Sequence, residues 1–264
     1  MIAVTYVGHA TVRLELDGTT LLTDPVLRRR VAHLRRIAPP PAREAVRGPD
    51  AVLVSHAHLD HLDRRSLRLL GRCPVVAPRG CAGALARAGV RDIRPLAAGE
   101  ALRVGTVEVR ALAAAHDGRR HPLSRQRETL AYVVSGAGGT AFFAGDTGVF
   151  ADMAHLAGGL DLALLPVWGW GARVGPGHMD PERAALAASL LAPLVAIPIH
   201  WGTLAAPRVP WRDDPGGPAR AFAREAAARA PGVEVRALWP GGRTEVDGVR
   251  GRGAAASSRR TPRR

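Results

Sequence analysis

The residues best suited to chemistry are concentrated at positions 55–61, where the sequence is SHAHLDH. Three histidines, His56, His58 and His61, and one aspartate, Asp60, fall within six residues. Only 10 of the 264 residues are histidine, so chance is a poor explanation for a cluster of this density. Imidazole nitrogens and carboxylate oxygens are ligands that Zn²⁺, Mn²⁺ and Fe²⁺ accept in proteins. We therefore interpret this segment as part of a metal site rather than as a solvated, histidine-rich loop.

Three more residues of these types, His116, Asp146 and His200, each follow an apolar, strand-like run further along the chain. Taken alone, each has an ordinary explanation, because a histidine after a strand more often makes a structural hydrogen bond than a metal bond. Together they repeat one order, a strand followed by a potential ligand. Loops at strand ends are where open α/β folds place ligand sites. The repetition favours a single site assembled from four separate segments.

Short strands are the elements that must position these residues. Ten alternating or apolar runs bounded by turn residues predict strands, at residues 3–6, 12–16, 20–23, 51–54, 75–77, 107–112, 130–134, 140–144, 162–165 and 195–199. Four runs predict helices, at residues 64–70, 81–88, 181–191 and 219–230. Strands dominate early and helices are interspersed later, so we predict an α/β (α+β) fold of packed sheets with helices on the outer faces.

Length and composition favour one domain. The 264 residues, 47% of them hydrophobic, are enough to bury a sizeable core. We predict a domain over residues 1–250, followed by a disordered, basic tail of low complexity at 251–264. Residues 28–47 and 205–217 are rich in proline and predict surface loops.

Charge and targeting signals narrow the class of partner. The formal net charge is +14, which is one indication of nucleic-acid binding. However, five of the 37 basic residues lie in the tail at 251–264 and the others are scattered, so we disfavour a nucleic-acid partner. The sequence shows neither an apolar run of about 18 residues nor a secretory signal, so we predict no membrane span and a cytoplasmic location.

The four ligand-bearing segments together resemble the metallo-β-lactamase-fold hydrolases. That family's signature is His-x-His-x-Asp-His, followed by His, Asp and His in this order, and the resemblance covers residues 2–203. Four further runs resemble the branch that includes bacterial L-ascorbate-6-phosphate lactonase and N-acyl-phosphatidylethanolamine phospholipase D: YVGHAT at 6–11, LLTDP at 21–25, GHMDPE at 177–182 and IHWGT at 199–203. The resemblance implies a four-layer αββα sandwich.

The resemblance also implies two divalent metal ions, with Zn²⁺ expected first and Mn²⁺ or Fe²⁺ as alternatives. The implied ligands are His56, His58 and His116 for the first ion, Asp60, His61 and His200 for the second, and Asp146 bridging both. Such ions share a hydroxide that attacks a phosphorus or carbonyl centre. The implied function is that of a dinuclear hydrolase acting on a phosphodiester or related anionic ester, with Asp60 and His178 as candidate catalytic residues.

Two alternatives stay open at this point. A lactone or amide hydrolase of the same fold would use the same hydroxide on a carbonyl carbon. A protein of another class, a non-catalytic metal- or ligand-binding module, would keep the ligands without turnover. We disfavour β-lactam hydrolysis, because no export signal is present and the branch motifs point to other substrates.

Five residues around the predicted ligands each have more than one candidate role. Asp24 is a candidate carboxylate partner for a metal-bound histidine, although an aspartate before proline also makes ordinary turns. His9 either lines the pocket or makes a structural hydrogen bond. His178, just before a helix, either contacts substrate phosphate, donates a proton to the leaving group or caps a loop. Trp168 and Trp170 form either a pocket wall or part of the core.

Overall fold

Strands make up most of the ordered elements in the computed structural model, which describes residues 1–119, 126–169, 173–206 and 214–248. The strands are β1 (Ile2–Gly8), β2 (Thr11–Leu16), β3 (Thr19–Thr23), β4 (Arg30–Val31), β5 (Leu34–Arg36), β6 (Ala51–Leu53), β7 (Val75–Pro78), β8 (Ile93–Leu96), β9 (Ala101–Val104), β10 (Val107–Ala113), β11 (Leu130–Gly136), β12 (Gly139–Phe143), β13 (Leu162–Pro166), β14 (Val195–Ile199), β15 (Leu204–Ala205), β16 (Glu234–Val235) and β17 (Arg243–Val246). The helices are α1 (Arg43–Val46), α2 (Arg64–Leu69), α3 (Ala82–Ala86), α4 (Pro181–Leu191) and α5 (Gly217–Arg229), and 3₁₀ turns lie at Arg79–Cys81 and Ala151–Leu156.

The strands form two large sheets and one small sheet. The first large sheet has the order β17-β1-β2-β3-β6-β7-β8, and the second has the order β16-β14-β13-β12-β11-β10-β9. Each sheet combines an antiparallel part, in which strands follow one another through tight turns, with a parallel part that contains crossovers through helices. The small sheet has the order β15-β5-β4.

The main hydrophobic core lies between the two large sheets. Tyr6 from the first sheet and Phe142 from the second belong to one buried cluster. The second sheet also packs against α4 and α5, through residues such as Ala188 and Phe222 of the same cluster. A separate cluster packs α2 and α3 against the first sheet. The layers are therefore helix, sheet, sheet and helix, which confirms the predicted four-layer αββα sandwich.

Helix α4 shows how local sequence sets an element boundary. The side chain of Asp180 accepts a hydrogen bond from the backbone N–H of Arg183 at 2.9 Å, and Pro181 occupies the first turn, where its missing N–H has no cost. The helix ends where Ala192 adopts a left-handed φ of 43°. Residues 181–191 match the predicted span, because capping, periodicity and packing all agree in this segment.

Each of the ten predicted strands and four predicted helices is present, with bounds that shift by at most a few residues. The segment 28–47 was predicted as a surface loop, and this is wrong in part, since it contains β4, β5 and α1. Val31 and Leu34 are buried against Val26 and Leu204. These strands are too short to show a period, and their partner β15 lies far along the chain.

Two other predicted segments include residues that lie outside the described ranges. Of the predicted loop 205–217, Ala205 belongs to β15 and Gly217 begins α5, while residues 207–213 lie outside the described ranges. The predicted tail at 251–264 also lies outside them. Among the described residues the longest helix, α5, has 13 residues, and no helix has the length and apolarity that crossing a bilayer requires.

Several strands of both large sheets end at one edge of the sandwich. The segment 55–61 follows β6, His116 follows β10, Asp146 follows β12, and His200 follows β14. His9 follows β1 at the same edge. The fold thus collects, in one place, side chains that are separated by up to 191 positions in the sequence, from His9 to His200.

Candidate metal centre

The seven predicted ligands converge between the ends of the two large sheets. Within this cluster, Nε2 of His61 lies 3.1 Å from Oδ2 of Asp146, and Nε2 of His200 lies 3.3 Å from Oδ1 of the same carboxylate. Nδ1 of His58 lies 3.2 Å from Nε2 of His116. The ring centroids of His56 and His61 are 4.2 Å apart, and this contact joins the residues of segment 55–61 into one cluster with the others.

The cluster divides into two groups by depth. Ligand atoms within each group lie within 4.8 Å of one another. The inner group is Asp60, His61 and His200, all of which are buried. The outer group is His56, His58 and His116, of which the last two are half-buried. Asp146 contacts the inner group directly and also lies within 4.8 Å of the ligand atoms of His116 and His178. Each group has the number and type of donors that a divalent transition metal accepts.

Backbone carbonyl groups orient three of the histidines. His58 uses Nε2, and His116 and His200 use Nδ1, to contact a carbonyl oxygen outside the cluster. These oxygens belong to Arg119, Gly177 and Trp168, at 2.7, 2.8 and 2.7 Å respectively. A carbonyl oxygen only accepts, so each contacting nitrogen carries the hydrogen. The other nitrogen of each neutral ring therefore presents a lone pair to the cluster.

A single buried carboxylate, that of Asp24, orients one histidine of each group. Its Oδ2 accepts hydrogen bonds from Nδ1 of His61 at 2.7 Å and from Oγ of Ser55 at 2.5 Å. Since the Ser55 hydroxyl donates to Asp24, it accepts from Nδ1 of His56, 2.9 Å away. Metal-bound histidines commonly donate their remote N–H in this way. Ser55 was not among the predicted site residues, although its position directly before His56 was a usable signal.

Two buried atoms of the cluster lack a hydrogen-bond partner. Only four such side-chain atoms occur among the described residues, and two of them are Nε2 of His56 and Oδ1 of Asp146. The latter lies near Nε2 of His200, but the contact has no hydrogen-bond geometry. An unpaired buried polar atom costs about 1–3 kcal/mol. A cation would contact both atoms, so the residues present fit a metal centre.

The electrostatics of the cluster also suit a cation. Burial, followed by repulsion from neighbouring imidazoles, keeps the pKa of His56 well below its usual value. Burial lowers the pKa of His116 to about 4 and that of His200 to about 3. Burial opposes ionisation of Asp60 and Asp146, yet the surrounding histidines hold the pKa of both carboxyls well below the usual range. Neutral imidazoles and ionised carboxylates are the forms that bind metals.

His61 differs from the other histidines in the direction of its shift. Burial opposes its protonation, but Asp146, Asp24 and Asp60 surround it and raise its pKa well above the usual value. Three carboxylates around one imidazole create a negative field at the centre of the inner group. A divalent cation is the species that such a field attracts most strongly.

His178 and a cavity lie on the solvent side of the cluster. Nε2 of His178 is 3.5 Å from Oδ2 of Asp146, and its Nδ1 is 3.2 Å from the carbonyl oxygen of Pro176. Burial lowers the pKa of His178, but the contact with Asp146 outweighs burial and raises it. The cavity has a volume of about 760 Å³, and its walls include Leu59 and Arg119. This size is that of a small-molecule site.

The two tryptophans of the sequence prediction have different outcomes. Trp168 packs its half-buried side chain against the main core, and its carbonyl oxygen accepts the hydrogen bond from His200. Trp168 therefore contacts the site through its backbone. Trp170 lies outside the described residues.

The segment 55–61, which carries residues of both groups, is anchored just beyond its C-terminal end by Asp63. The side chain of Asp63 caps α2 by accepting from the backbone N–H of Ser66. It also accepts two hydrogen bonds from the guanidinium of Arg28, at 2.7 and 2.8 Å. Such a paired contact fixes geometry as well as adding stability, and it lies two residues beyond His61.

Comparisons with known proteins identify the family of the chain. Residues 19–201 match the family model described as a beta-lactamase superfamily domain. A metal-dependent hydrolase of Methanopyrus kandleri is 33% identical over 255 residues, which cover 90% of this chain and 97% of the relative. N-acyl-phosphatidylethanolamine-hydrolyzing phospholipase D 1 of Caenorhabditis elegans is 30% identical over 226 residues, which cover 75% of this chain and 63% of the relative.

A solved structure shows the same fold at lower sequence identity. The metallo hydrolase of the archaeon Ignicoccus hospitalis superposes with a TM-score of 0.69 and 22% identity, over 92% of this chain and 97% of that one. At this identity the likeness supports the fold, while the family rests on the family model and on the relatives above. The chain belongs to the metallo-β-lactamase superfamily and is a metal-dependent hydrolase of that superfamily.

Proposed function

We propose that this protein is a dinuclear hydrolase that acts on a phosphodiester or a related anionic ester. The observation that carries the proposal is the orientation of the five imidazoles. In each ring one nitrogen contacts an oxygen outside the cluster, and the other faces the cluster that contains Asp60 and Asp146. Five rings turned in this way direct five nitrogens at one another and at the two carboxylates, as ligands around a cation would be.

In this proposal His56, His58 and His116 would hold one divalent ion, and Asp60, His61 and His200 would hold a second, with Asp146 as a candidate ligand for both. Zn²⁺ is the proposed ion, and Mn²⁺ and Fe²⁺ accept the same donors. Two such ions, when bound, would lower the pKa of a bound water to about 7 and would stabilise the negative charge that develops on the attacked group.

The chain's own residues orient the reactants and move the proton. Asp24 and Ser55 fix the rings of His56 and His61 and so set the direction of their lone pairs. The proposed proton donor to the leaving group is Nε2 of His178, which lines the cavity beside Asp146. Asp60 also lines the cavity, so a substrate reaches the inner group from the solvent side.

Two observations support an anionic ester as substrate. Arg119 supplies a guanidinium on the cavity wall, although it is paired with Asp117 at 2.6 Å. The C. elegans relative is named as a phospholipase D, an enzyme of phosphate ester chemistry. A cavity of about 760 Å³ limits the substrate to a small molecule or to one end of a longer one.

We also propose the cytoplasm as the site of action. Cys73 and Cys81 are both free thiols. Cysteines without disulfides are usual in reducing compartments. A fluorescent fusion that localises with a periplasmic or extracellular marker would contradict this location.

The proposed function is tested with bis-(p-nitrophenyl) phosphate and with protein reconstituted with Zn²⁺ or Mn²⁺. The Asp60→Ala variant serves as the blank, because it removes an inner ligand while its neighbours remain. We expect turnover by the wild type and none by the variant. Two bound ions per chain, measured by elemental analysis, would be the accompanying stoichiometry.

The same assay separates the alternatives. Two bound ions without phosphodiester turnover, but with lactone or amide turnover, would replace the proposed substrate class by a carbonyl compound. Two bound ions without turnover on any of these panels would favour a binding module. Fewer than two ions per wild-type chain would contradict the dinuclear site itself.

A further inference from the structure

His9 lies beside the inner group but belongs to neither set of proposed ligands. We propose that His9 is a positioning residue for the inner metal site, and that it acts by holding the carboxylate of Asp60 in its ligating orientation. This inference rests on the proposed function, because it takes the inner group to bind an ion. It assigns a role to His9, which directly follows β1.

The first evidence is the contact between the two side chains. The ring of His9 is buried, and its Nε2 lies 3.1 Å from Oδ2 of Asp60. This same oxygen lies 3.9 Å from Nε2 of His61 and 3.9 Å from Nε2 of His200. His9 therefore contacts the one carboxylate oxygen that faces both inner imidazoles. Because an ionised carboxylate only accepts, Nε2 of His9 donates the hydrogen.

The second evidence is the backbone around His9. Its carbonyl oxygen accepts a hydrogen bond from the backbone N–H of His200 at 2.8 Å, and its own N–H donates to Oγ1 of Thr203 at 2.7 Å. The rings of His9 and His200 also pack together, with centroids 3.8 Å apart. His9 thus contacts two of the three inner residues, one through its side chain and the other through backbone and ring.

Both residues adopt an uncommon backbone conformation. His9 has φ of 59° and His200 has φ of 66°, which is the left-handed region that few non-glycine residues enter. Such conformations persist where surrounding contacts determine them, and they are concentrated at functional sites. In this protein the two strained residues are joined by the hydrogen bond between their backbones.

Asp60 is the inner residue that borders the cavity. It lies next to Leu59, which is 42% exposed, and both residues line the cavity. A carboxylate at the edge of a cavity can turn either toward the inner imidazoles or toward the cavity. Asp24 supports His61, and the carbonyl oxygen of Trp168 supports His200. His9 gives Asp60 the corresponding support, and partners of this kind commonly change metal affinity by about 10–100-fold.

The test compares variants that separate the hydrogen bond from the ring. His9→Phe keeps an aromatic ring against His200 but has no donor, whereas His9→Gln keeps a donor for Asp60. Zn²⁺ affinities of the two sites are measured by stepwise titration against a competing chelator, with stoichiometry from elemental analysis. His58→Ala, which removes an outer ligand, is the matched control.

We expect His9→Phe to weaken one of the two Zn²⁺ sites by about 10–100-fold and to leave the other unchanged. His9→Gln should restore most of the lost affinity. The double variant of His9→Phe with Asp60→Ala should keep the outer ion with the same affinity as Asp60→Ala alone, because His9 acts through Asp60. His58→Ala should weaken the outer site and leave the inner site unchanged.

Three results would overturn the inference. These are wild-type affinities at both sites in His9→Phe, equal losses in His9→Phe and His9→Gln, or a weaker outer site in the double variant than in Asp60→Ala. If His9→Phe does not fold, as judged by circular dichroism, His9→Asn replaces it, because asparagine tolerates left-handed φ and is too short to reach Asp60. A wild type that binds no Zn²⁺ would instead contradict the proposed function.

Discussion

The inner and outer groups have similar donors but different surroundings. The inner residues are buried, and their supports are the carboxylate of Asp24, the ring and backbone of His9 and the carbonyl oxygen of Trp168. In the outer group, two of the three residues are half-buried and contact carbonyl oxygens of loops, those of Arg119 and Gly177. The inner site is thus built mainly by the packed core, and the outer site largely by loops that border the cavity.

Two groups with the same number of ligands can therefore differ in metal affinity. Rigid, buried supports lose little freedom when an ion binds, whereas loop residues must be ordered at that moment. We therefore expect the inner site to bind its ion more tightly. The following changes test that expectation, from the largest expected effect to the smallest.

The largest effect should come from Asp146→Ala, because this carboxylate contacts the inner group and lies beside the outer group. We expect both ions to be lost and turnover to fall by several orders of magnitude, with the fold intact by circular dichroism. Asp152→Ala, which removes an exposed carboxylate in a 3₁₀ turn, is the control. Retention of two ions by Asp146→Ala would contradict the assignment of Asp146 as a ligand of both ions.

Variants that remove one ligand should show which ion each group binds. We expect Asp60→Ala to lose the inner ion and His58→Ala to lose the outer ion, while each keeps the other ion. Turnover should fall by several orders of magnitude in both variants, since the proposed reaction uses both ions. Elemental analysis after dialysis measures the stoichiometry. Loss of both ions in His58→Ala, but not in Asp60→Ala, would reverse the order of affinity inferred from burial.

Asp24→Asn should weaken both sites through their histidines. The amide accepts fewer hydrogen bonds than the carboxylate, so the rings of His56 and His61 lose their orientation. We expect affinity to fall by about 10–100-fold at each site. The control is Asp50→Asn, at an exposed carboxylate that accepts from the backbone of Thr20. A change at one site only would show that Ser55 does not transmit the effect to His56.

His178→Ala should leave both ions in place and reduce kcat by about 10²–10⁴-fold, the usual contribution of a proton donor. The control is His155→Ala, which removes an exposed histidine. The reduction should be smaller for a substrate whose leaving group needs no proton, such as p-nitrophenolate. Loss of an ion from His178→Ala would add this residue to the ligands.

The smallest effect should come from Asp180→Ala, which removes the N-cap of α4. We expect the free energy of unfolding to fall by about 1 kcal/mol, measured by urea denaturation. Metal affinity at both sites should be unchanged, because Asp180 is in neither group. A selective loss at the outer site would indicate that α4 supports the nearby loop of Gly177.

The sequence predicted best those features that depend on residue type alone. The ten strands followed from apolar alternation, and the segment 55–61 followed from the density of histidine and aspartate. Trp168 shows the limit, since sequence reasoning weighed its ring, whereas the described contact with the site is made by its carbonyl oxygen. Every residue has such an oxygen, so composition does not indicate which one is used.

Long-range pairing set the other limit. The strands β4 and β5 have two and three residues, and they are stabilised by β15, which lies far along the chain. The sequence does not decide whether His9 lines the pocket or makes a structural contact, because the position of Asp60 depends on the folding of both sheets. The relative depth of the two groups also depends on packing and has no signal in the spacing of ligands.

The order in which the chain is synthesised has a consequence for metal loading. The outer group is complete once His116 has been made, whereas the inner group requires His200, and the backbone of His9 bonds to Thr203 across 194 positions. Contacts of such separation form late, because a long loop must close first. A nascent chain leaving the ribosome therefore has the outer histidines well before it has an inner site. Acquisition of the inner ion would be among the last steps of biogenesis.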